Sequence, residues 1–245
     1  MDFGLKNKRV FITGATDGMG KALAKVFVEE GAHVIIHGRY AKEEILKKNC
    51  KELGNAEYVM ADLSDNEQVE QVWNQVGDID VLVNNAGVWP TAYVEEMQTE
   101  DFHKTLDINL IAPFILSRNA VNAWMAQNKK GKIINIVSQA AFHGSTSGHA
   151  HYAASKAGLV AFTISLAREV APYGINVNAV APGMMRTPMN RDALAEREDE
   201  YLKRIPLKRI ADSEEVAYAV VYLAGNKSDY ITGATMDVTG GMLMR

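Results

Sequence analysis

Cysteine is nearly absent: Cys50 stands alone among 245 residues, which excludes an internal disulfide framework. Its neighbours Lys47, Lys48, Asn49 and Lys51 include no histidine, acid or second thiol, so a catalytic thiolate is not expected there. Long apolar runs are also missing, and none approaches the ~20 residues that a membrane span requires. The opening Met1-Asp2-Phe3 stretch meets only a short apolar run before Thr13-Gly14, too little for a signal-peptide core, and a cytoplasmic protein is expected. Nor is there an excess of one charge: 26 Lys and Arg against 30 Asp and Glu give a net charge of −4. That balance argues against nucleic acid or an acidic membrane as partner, and Lys129-Lys130-Gly131-Lys132 reads as a solvated turn. No Pro/Ser-rich linker, composition break or repeat divides the chain, so residues 1–245 read as one domain.

With 47% hydrophobic and 23% charged residues, the composition is that of a globular domain. Short β-branched runs alternate with stretches of helical period. Val10-Phe11-Ile12-Thr13 is apolar on both faces, as a doubly covered strand must be. Leu23, Val26 and Phe27 then mark one helical face that ends near Gly31, and Val34–His37 reads as a second strand. Further strands are expected at 58–60, 81–84, 133–137, 175–180 and 235–238. Helices are expected at 67–76, 99–125 (strained at Pro113) and 152–171, with a charged helical segment before the last strand. Seven strands separated by helices imply an α/β, doubly wound parallel sheet of Rossmann type, covered on both faces.

Between the first strand and helix lies Thr13-Gly14-Ala15-Thr16-Asp17-Gly18-Met19-Gly20. Glycines there permit positive φ and close approach of a ligand, and the following helix N-terminus offers free N–H groups to a pyrophosphate. The spacing G-x3-G-x-G departs from the commoner G-x-G-x-x-G, but its strand–turn–helix setting favours dinucleotide binding. After the second strand the chain reads His37-Gly38-Arg39-Tyr40, with an arginine where an acid would select the unphosphorylated cofactor. A guanidinium fork suits a 2′-phosphate, so NADP is favoured over NAD, although Asp17 adds no second cation to the turn.

Ser138 follows the fifth strand, and Tyr152 and Lys156 share one helical face at i and i+4. A phenol titrates near pH 10, and a neighbouring ammonium is expected to lower that value. Together with Thr13-Gly14-x3-Gly18-x-Gly20, Asp62-Leu63, Asn84-Asn85-Ala86-Gly87, Asn109 and Pro182-Gly183-x3-Thr187, this pair makes the chain resemble the short-chain dehydrogenase/reductase family over its whole length. The resemblance implies an oxidoreductase moving hydride between a nicotinamide and a carbonyl or secondary alcohol. Tyr152 would be the general acid or base, Ser138 would bind the reacting oxygen, Lys156 would hold the nicotinamide ribose, and Asn109 would hold a relay water. The cofactor would rest on Gly14, Thr16, Asp17, Gly18, Met19, Gly20 and Arg39 at its phosphates. Asp62, Leu63, Asn85, Ala86 and Gly87 would meet the adenosine half, and Pro182, Gly183, Met185 and Thr187 the nicotinamide.

The subgroup resembled most is the 3-oxoacyl-[acyl-carrier-protein] reductases, through Ala167-Arg168-Glu169-Val170-Ala171 and the closing 230–242 segment. Two departures bear on an acyl thioester as substrate. Tyr173 stands where those reductases commonly carry a basic residue, and the Ser138–Tyr152 interval is one residue longer than theirs. A free small alcohol, sugar, steroid or cyclic ketone is the rival substrate, and a non-catalytic redox-sensing module the remote one. The loop 139–151 and the lid 184–206 are expected to shape the pocket, with Trp89 as an apolar wall. His143, His149 and His151 read as loop or substrate contacts rather than metal ligands. Resemblance further implies a homotetramer paired through the helices near 99–126 and 152–171.

Overall fold

The computed structural model describes residues 2–145 and 147–245; Met1, and Thr146 in the 139–151 loop, lie outside the described residues. The chain runs β1 (Arg9–Ile12), α1 (Gly18–Glu29), β2 (His33–Gly38), α2 (Glu43–Leu53), β3 (Ala56–Met60), α3 (Asn66–Val76) and β4 (Val81–Asn84). It continues through α4 (Thr99–Leu106), a π-helical turn (Asp107–Ile111), α5 (Ala112–Ala126), β5 (Gly131–Ile136), α6 (Ala140–His143) and α7 (Ala150–Val170). The last part is β6 (Ile175–Pro182), α8 (Arg191–Arg204), α9 (Ser213–Ala224) and β7 (Thr235–Val238). The strands form one seven-stranded sheet in the order β3-β2-β1-β4-β5-β6-β7, and every pairing is parallel.

Alternation along the strands sorts the core into two layers. Val10, Ile12, Val34 and Ile36 pack with Leu23 and Phe27 of α1, Leu46 of α2 and Val216 and Val220 of α9. Phe11, Ile35, Leu82 and Ile133 point the other way, against Val69 and Val72 of α3, Leu116 and Trp124 of α5 and Val170 of α7. Both faces are thus covered, as the doubly wound reading expects. The winding direction reverses between β1 and β4, and the crevice beyond their carboxyl ends is where such sheets bind ligands.

Some boundaries differ from expectation. The charged segment 43–53, where no element was expected, forms α2 and turns Leu46, Asn49, Cys50 and Leu53 inward. The long helix near 99–125 is distorted one turn earlier than Pro113. The backbone stays helical from α4 through this turn into α5, and Pro113, which has no N–H, cannot donate to the carbonyl four residues back, that of Asn109 inside the π-helical turn. β6 runs on to Pro182, and the segment before β7 contains two separate helices, α8 and α9.

Candidate active site

The carboxyl ends of β1 to β6 open onto one cavity of about 860 Å³. Its lining includes every site residue expected from sequence, from Gly14 to Thr187, with the sole exception of Asn109. Residues brought together from six strand ends therefore surround a single space.

At one end lies the turn after β1. Gly14 and Gly18 have φ of 66° and 51°, a region open to glycine. A Cβ on Gly20 would strike the carbonyl oxygen of Gly14 and lie 2.7 Å from Ala15 Cα, so α1 seats closely on the turn only because this position lacks a side chain. Asp17 precedes α1 in extended conformation, and no side chain caps the helix N-terminus, leaving its N–H groups turned to the cavity end. Distant residues hold the turn. Asn85 Nδ2 donates to the carbonyls of Thr13 (2.8 Å) and Gly14 (3.0 Å), while the Thr13 hydroxyl accepts from the N–H groups of Asn85 and Ala86. The Gly14 N–H donates to His37 Nδ1 at 3.2 Å, and His37 Nε2 meets the Ala61 carbonyl at 3.2 Å. Burial keeps His37 neutral, with its pKa lowered to about 4, so Nδ1 can accept. The bonding roles of Thr13, named only as part of the glycine-turn motif, and of His37 do not show in sequence because both act through partners far along the chain.

Arg39 lines the cavity beside β2, joined by Lys42 and Lys104, two cations that the sequence did not single out. Asp62 keeps its carboxyl below the usual range. The backbone N–H and hydroxyl of Ser64 are the main cause, and the charges of Arg39 and Lys104 add to it. This end of the cavity is cationic, and its arginine fork, two ammonium groups and free helix N–H groups match the donors that a phosphorylated dinucleotide needs.

The other end holds Ser138, Tyr152 and Lys156. Lys156 is 4% exposed, and its Nζ donates to the Ile136 carbonyl at 2.8 Å, 5.9 Å from the centre of the Tyr152 ring. Burial lowers its pKa to about 8. For Tyr152 the sequence expectation is corrected: burial raises the phenol above its ordinary value, and the Ser138 hydroxyl, not Lys156, is the group that opposes the rise. Ser138 Oγ also accepts from the Ala140 N–H at 3.2 Å, which fixes the turn into α6.

Asn109 lies behind the cavity wall. Its Nδ2 donates to the Val88 carbonyl (3.0 Å) and Ser155 Oγ (3.1 Å), and its Oδ1 accepts from the Val88 N–H (2.9 Å). The side chain is thereby spent on pinning the β4 loop and α7 to the π-helical turn. Asn84, from the same motif as Asn85, is equally internal, donating to Ser117 Oγ and Asn135 Oδ1.

Trp89 lines the cavity and stacks on His149 at 4.2 Å, with its ring centre 6.4 Å from that of Tyr152. His149 is fixed through Nδ1 to the Pro90 carbonyl at 2.8 Å. His143 lines the cavity, whereas His151 is fully buried outside it with neither ring nitrogen bonded among the described residues. No cluster of three or more His, Cys, Asp or Glu among the described residues is arranged to hold a metal ion. The lid contributes Met184, Met185, Met189 and Tyr201 to the cavity wall. Cys50 is half-buried, with a pKa raised chiefly by burial, and lies away from this space.

Comparison with known proteins agrees with this arrangement. A family model described as enoyl-(acyl carrier protein) reductase matches residues 14–243. A 3-oxoacyl-[acyl-carrier-protein] reductase of Rickettsia conorii is 43% identical over 242 residues, covering 98% of each chain. The enzyme of that name from Aquifex aeolicus is 37% identical over 99% of this chain and all of its own. Among solved structures, a putative NAD(P)-dependent gluconate 5-dehydrogenase from Beutenbergia cavernae, determined with bound NADP, superposes with a TM-score of 0.93 at 36% identity over 99% of both chains. With a seven-stranded parallel sheet, a glycine turn at its switch point and relatives of this identity over nearly full length, the chain belongs to the short-chain dehydrogenase/reductase family.

Proposed function

We propose that residues 1–245 act as one dinucleotide-binding and catalytic domain that reduces a carbonyl group with NADPH, with a 3-oxoacyl thioester as substrate. The observation that carries this reading is the convergence of Ser138, Tyr152 and Lys156 on the same cavity as the glycine turn and Arg39. The cofactor supplies the hydride that reaches the carbonyl carbon. This chain's residues do the rest: the Ser138 hydroxyl donates to the carbonyl oxygen as charge builds there, and Tyr152 delivers the proton that completes the alcohol. Two hydroxyls aimed at one oxygen suit a C=O bond, since an isolated C=C bond offers no lone pair to receive them. Lys156, with one of its three donors on the Ile136 carbonyl, keeps two for the nicotinamide ribose. Asn109 acts by position, and a relay water would lie on the backbone of its π-helical turn rather than on its spent amide.

NADP is preferred because Arg39, Lys42 and Lys104 gather at the end of the cavity where no acid follows β2. A single cysteine, with no disulfide to keep, suits a reducing cytoplasm, and among the described residues no helix is long and apolar enough to cross a membrane. The chain assembles as a homotetramer through α5 and α7, whose outer faces expose Phe114, Met125 and Ile164, with Tyr173 exposed in the turn just past α7.

A second reading, reduction of a free ketone or sugar, is favoured by Tyr173, a half-exposed phenol where an acidic carrier protein would call for a cation. The names of the solved relatives, gluconate 5-dehydrogenase among them, point the same way. Reduced-nicotinamide consumption measured with NADPH and NADH decides between the two. Acetoacetyl carrier protein, a crotonoyl thioester and free ketones and sugars form the panel. A kcat/KM highest for the acetoacetyl thioester with NADPH supports the first reading, a free ketone or sugar in first place supports the second, and turnover of the crotonoyl thioester alone contradicts both.

A further inference from the structure

Gln139 follows Ser138, and its backbone N–H is fixed on the Pro182 carbonyl at 3.3 Å. Its side chain is 8% exposed and belongs to the active-site cavity. Among the described residues the only partner of the amide is a thioether: Nε2 donates to Met242 Sδ at 3.2 Å, and Oε1 is buried with no hydrogen bond. Exchanging the amide's oxygen and nitrogen does not cure this, since sulfur then faces an acceptor and the nitrogen is stranded. A buried amide without proper partners lowers stability, and a Met or Leu of similar volume would fill the position at no such cost. Residues that break a local rule in this way concentrate where a ligand supplies what the protein does not.

Met242, the group covering the amide, is suited to move aside. It follows Gly240 and Gly241, both at positive φ, and packs on the lid cluster of Leu194, Ile205 and Ile210 rather than on the sheet. Its unbranched thioether is a flexible plug. We infer that Gln139 is a specificity-determining residue that hydrogen-bonds a second polar group of the substrate, carried close to the reacting carbonyl, when Met242 is displaced. This inference rests on the carbonyl-reductase reading. The shared chemistry is a second oxygen near the C=O: a thioester carbonyl would accept from Nε2, and a neighbouring hydroxyl would donate to Oε1.

The test compares wild type with Gln139→Met at saturating NADPH, using acetoacetyl-N-acetylcysteamine, hydroxyacetone and butanone. Loss of kcat/KM on the order of 10- to 100-fold is expected for at least one of the first two, with butanone changed by less than about threefold. Whichever of the first two falls further identifies the second group as thioester or hydroxyl. Equal loss on all three, or loss on none, overturns the inference. The Tm of the ligand-free variant should rise by about 2–4 °C, and a fall would make Gln139 a structural residue and overturn it as well. Should wild type turn over none of the three, the carbonyl-reductase reading fails. Gln139 is then judged by thermal shift, where stabilisation of wild type but not of the variant by hydroxyacetone or the thioester supports its role and equal shifts refute it.

Discussion

Lys156 places an ammonium where the protein is nearly dry. Holding its pKa near 8 instead of the ordinary 10.5 costs on the order of 3 kcal/mol at neutral pH. Below pH 8 folded and unfolded chains both carry the proton and the penalty is complete. Between about 8 and 10.5 the folded chain loses its proton first, the unfolded chain holds more, and stability gains as pH rises. Lys156→Met removes that penalty and leaves the Ile136 carbonyl without its donor. Urea denaturation should therefore show its stability advantage over wild type shrinking steadily between pH 7.5 and 10, while turnover is lost. A difference independent of pH would mean that the lysine keeps its ordinary pKa in the folded chain. The motif residues were legible in sequence because their types and spacing are unusual. The electrostatics were not, because the rise in the Tyr152 pKa comes from desolvation by the residues that the fold packs around its side chain at the cavity wall. Thr13 belongs to the glycine-turn motif and Gln139 to the pocket loop, but the bonds that they and His37 make were illegible, since their partners Asn85, Met242 and Gly14 lie 72, 103 and 23 residues away.

At the scale of elements, the π-helical turn between α4 and α5 is the feature that joins scaffold and site. Asn109 lies at its centre and ties Val88, just past the Asn-Ala-Gly motif, to Ser155 on the catalytic helix. Asn109→Ala strands the N–H and carbonyl of Val88, while the Ser155 hydroxyl keeps its bond to the Tyr152 carbonyl, and should lower unfolding free energy by about 2 kcal/mol in urea titrations. Because the tie positions α7, kcat should fall more than NADPH affinity. Unchanged stability would show that the π-helical turn holds itself without this side chain. The strands were legible because apolar runs buried on both faces leave few alternatives. By contrast, α2 is short, and its inner stripe of Leu46, Cys50 and Leu53 is diluted in sequence by glutamates and lysines. Pro113 marks the distorted stretch in sequence, whereas the side-chain bonds that Asn109 makes across 21 and 46 residues do not show there.

For the whole molecule, the outer face of α5 and α7 carries a groove of about 350 Å³ lined by Phe114, Val121, Met125, Phe162, Leu166 and Tyr173. Phe114 and Phe162 meet edge to face at 5.9 Å across the two helices and leave apolar surface open to a second copy. Light scattering should give about four times the 26.9 kDa of one chain, and Phe114→Glu should shift the mass downward with the fold intact by circular dichroism. A wild-type mass of a single chain would refute the tetramer. The central claim concerns chemistry, and Tyr152→Phe tests it most directly because it removes one oxygen atom and leaves the buried ring in place. With the best carbonyl substrate of the panel, kcat should fall at least about 100-fold, with an NADPH Kd within about threefold of wild type. Turnover near the wild-type rate in that variant would contradict the claim.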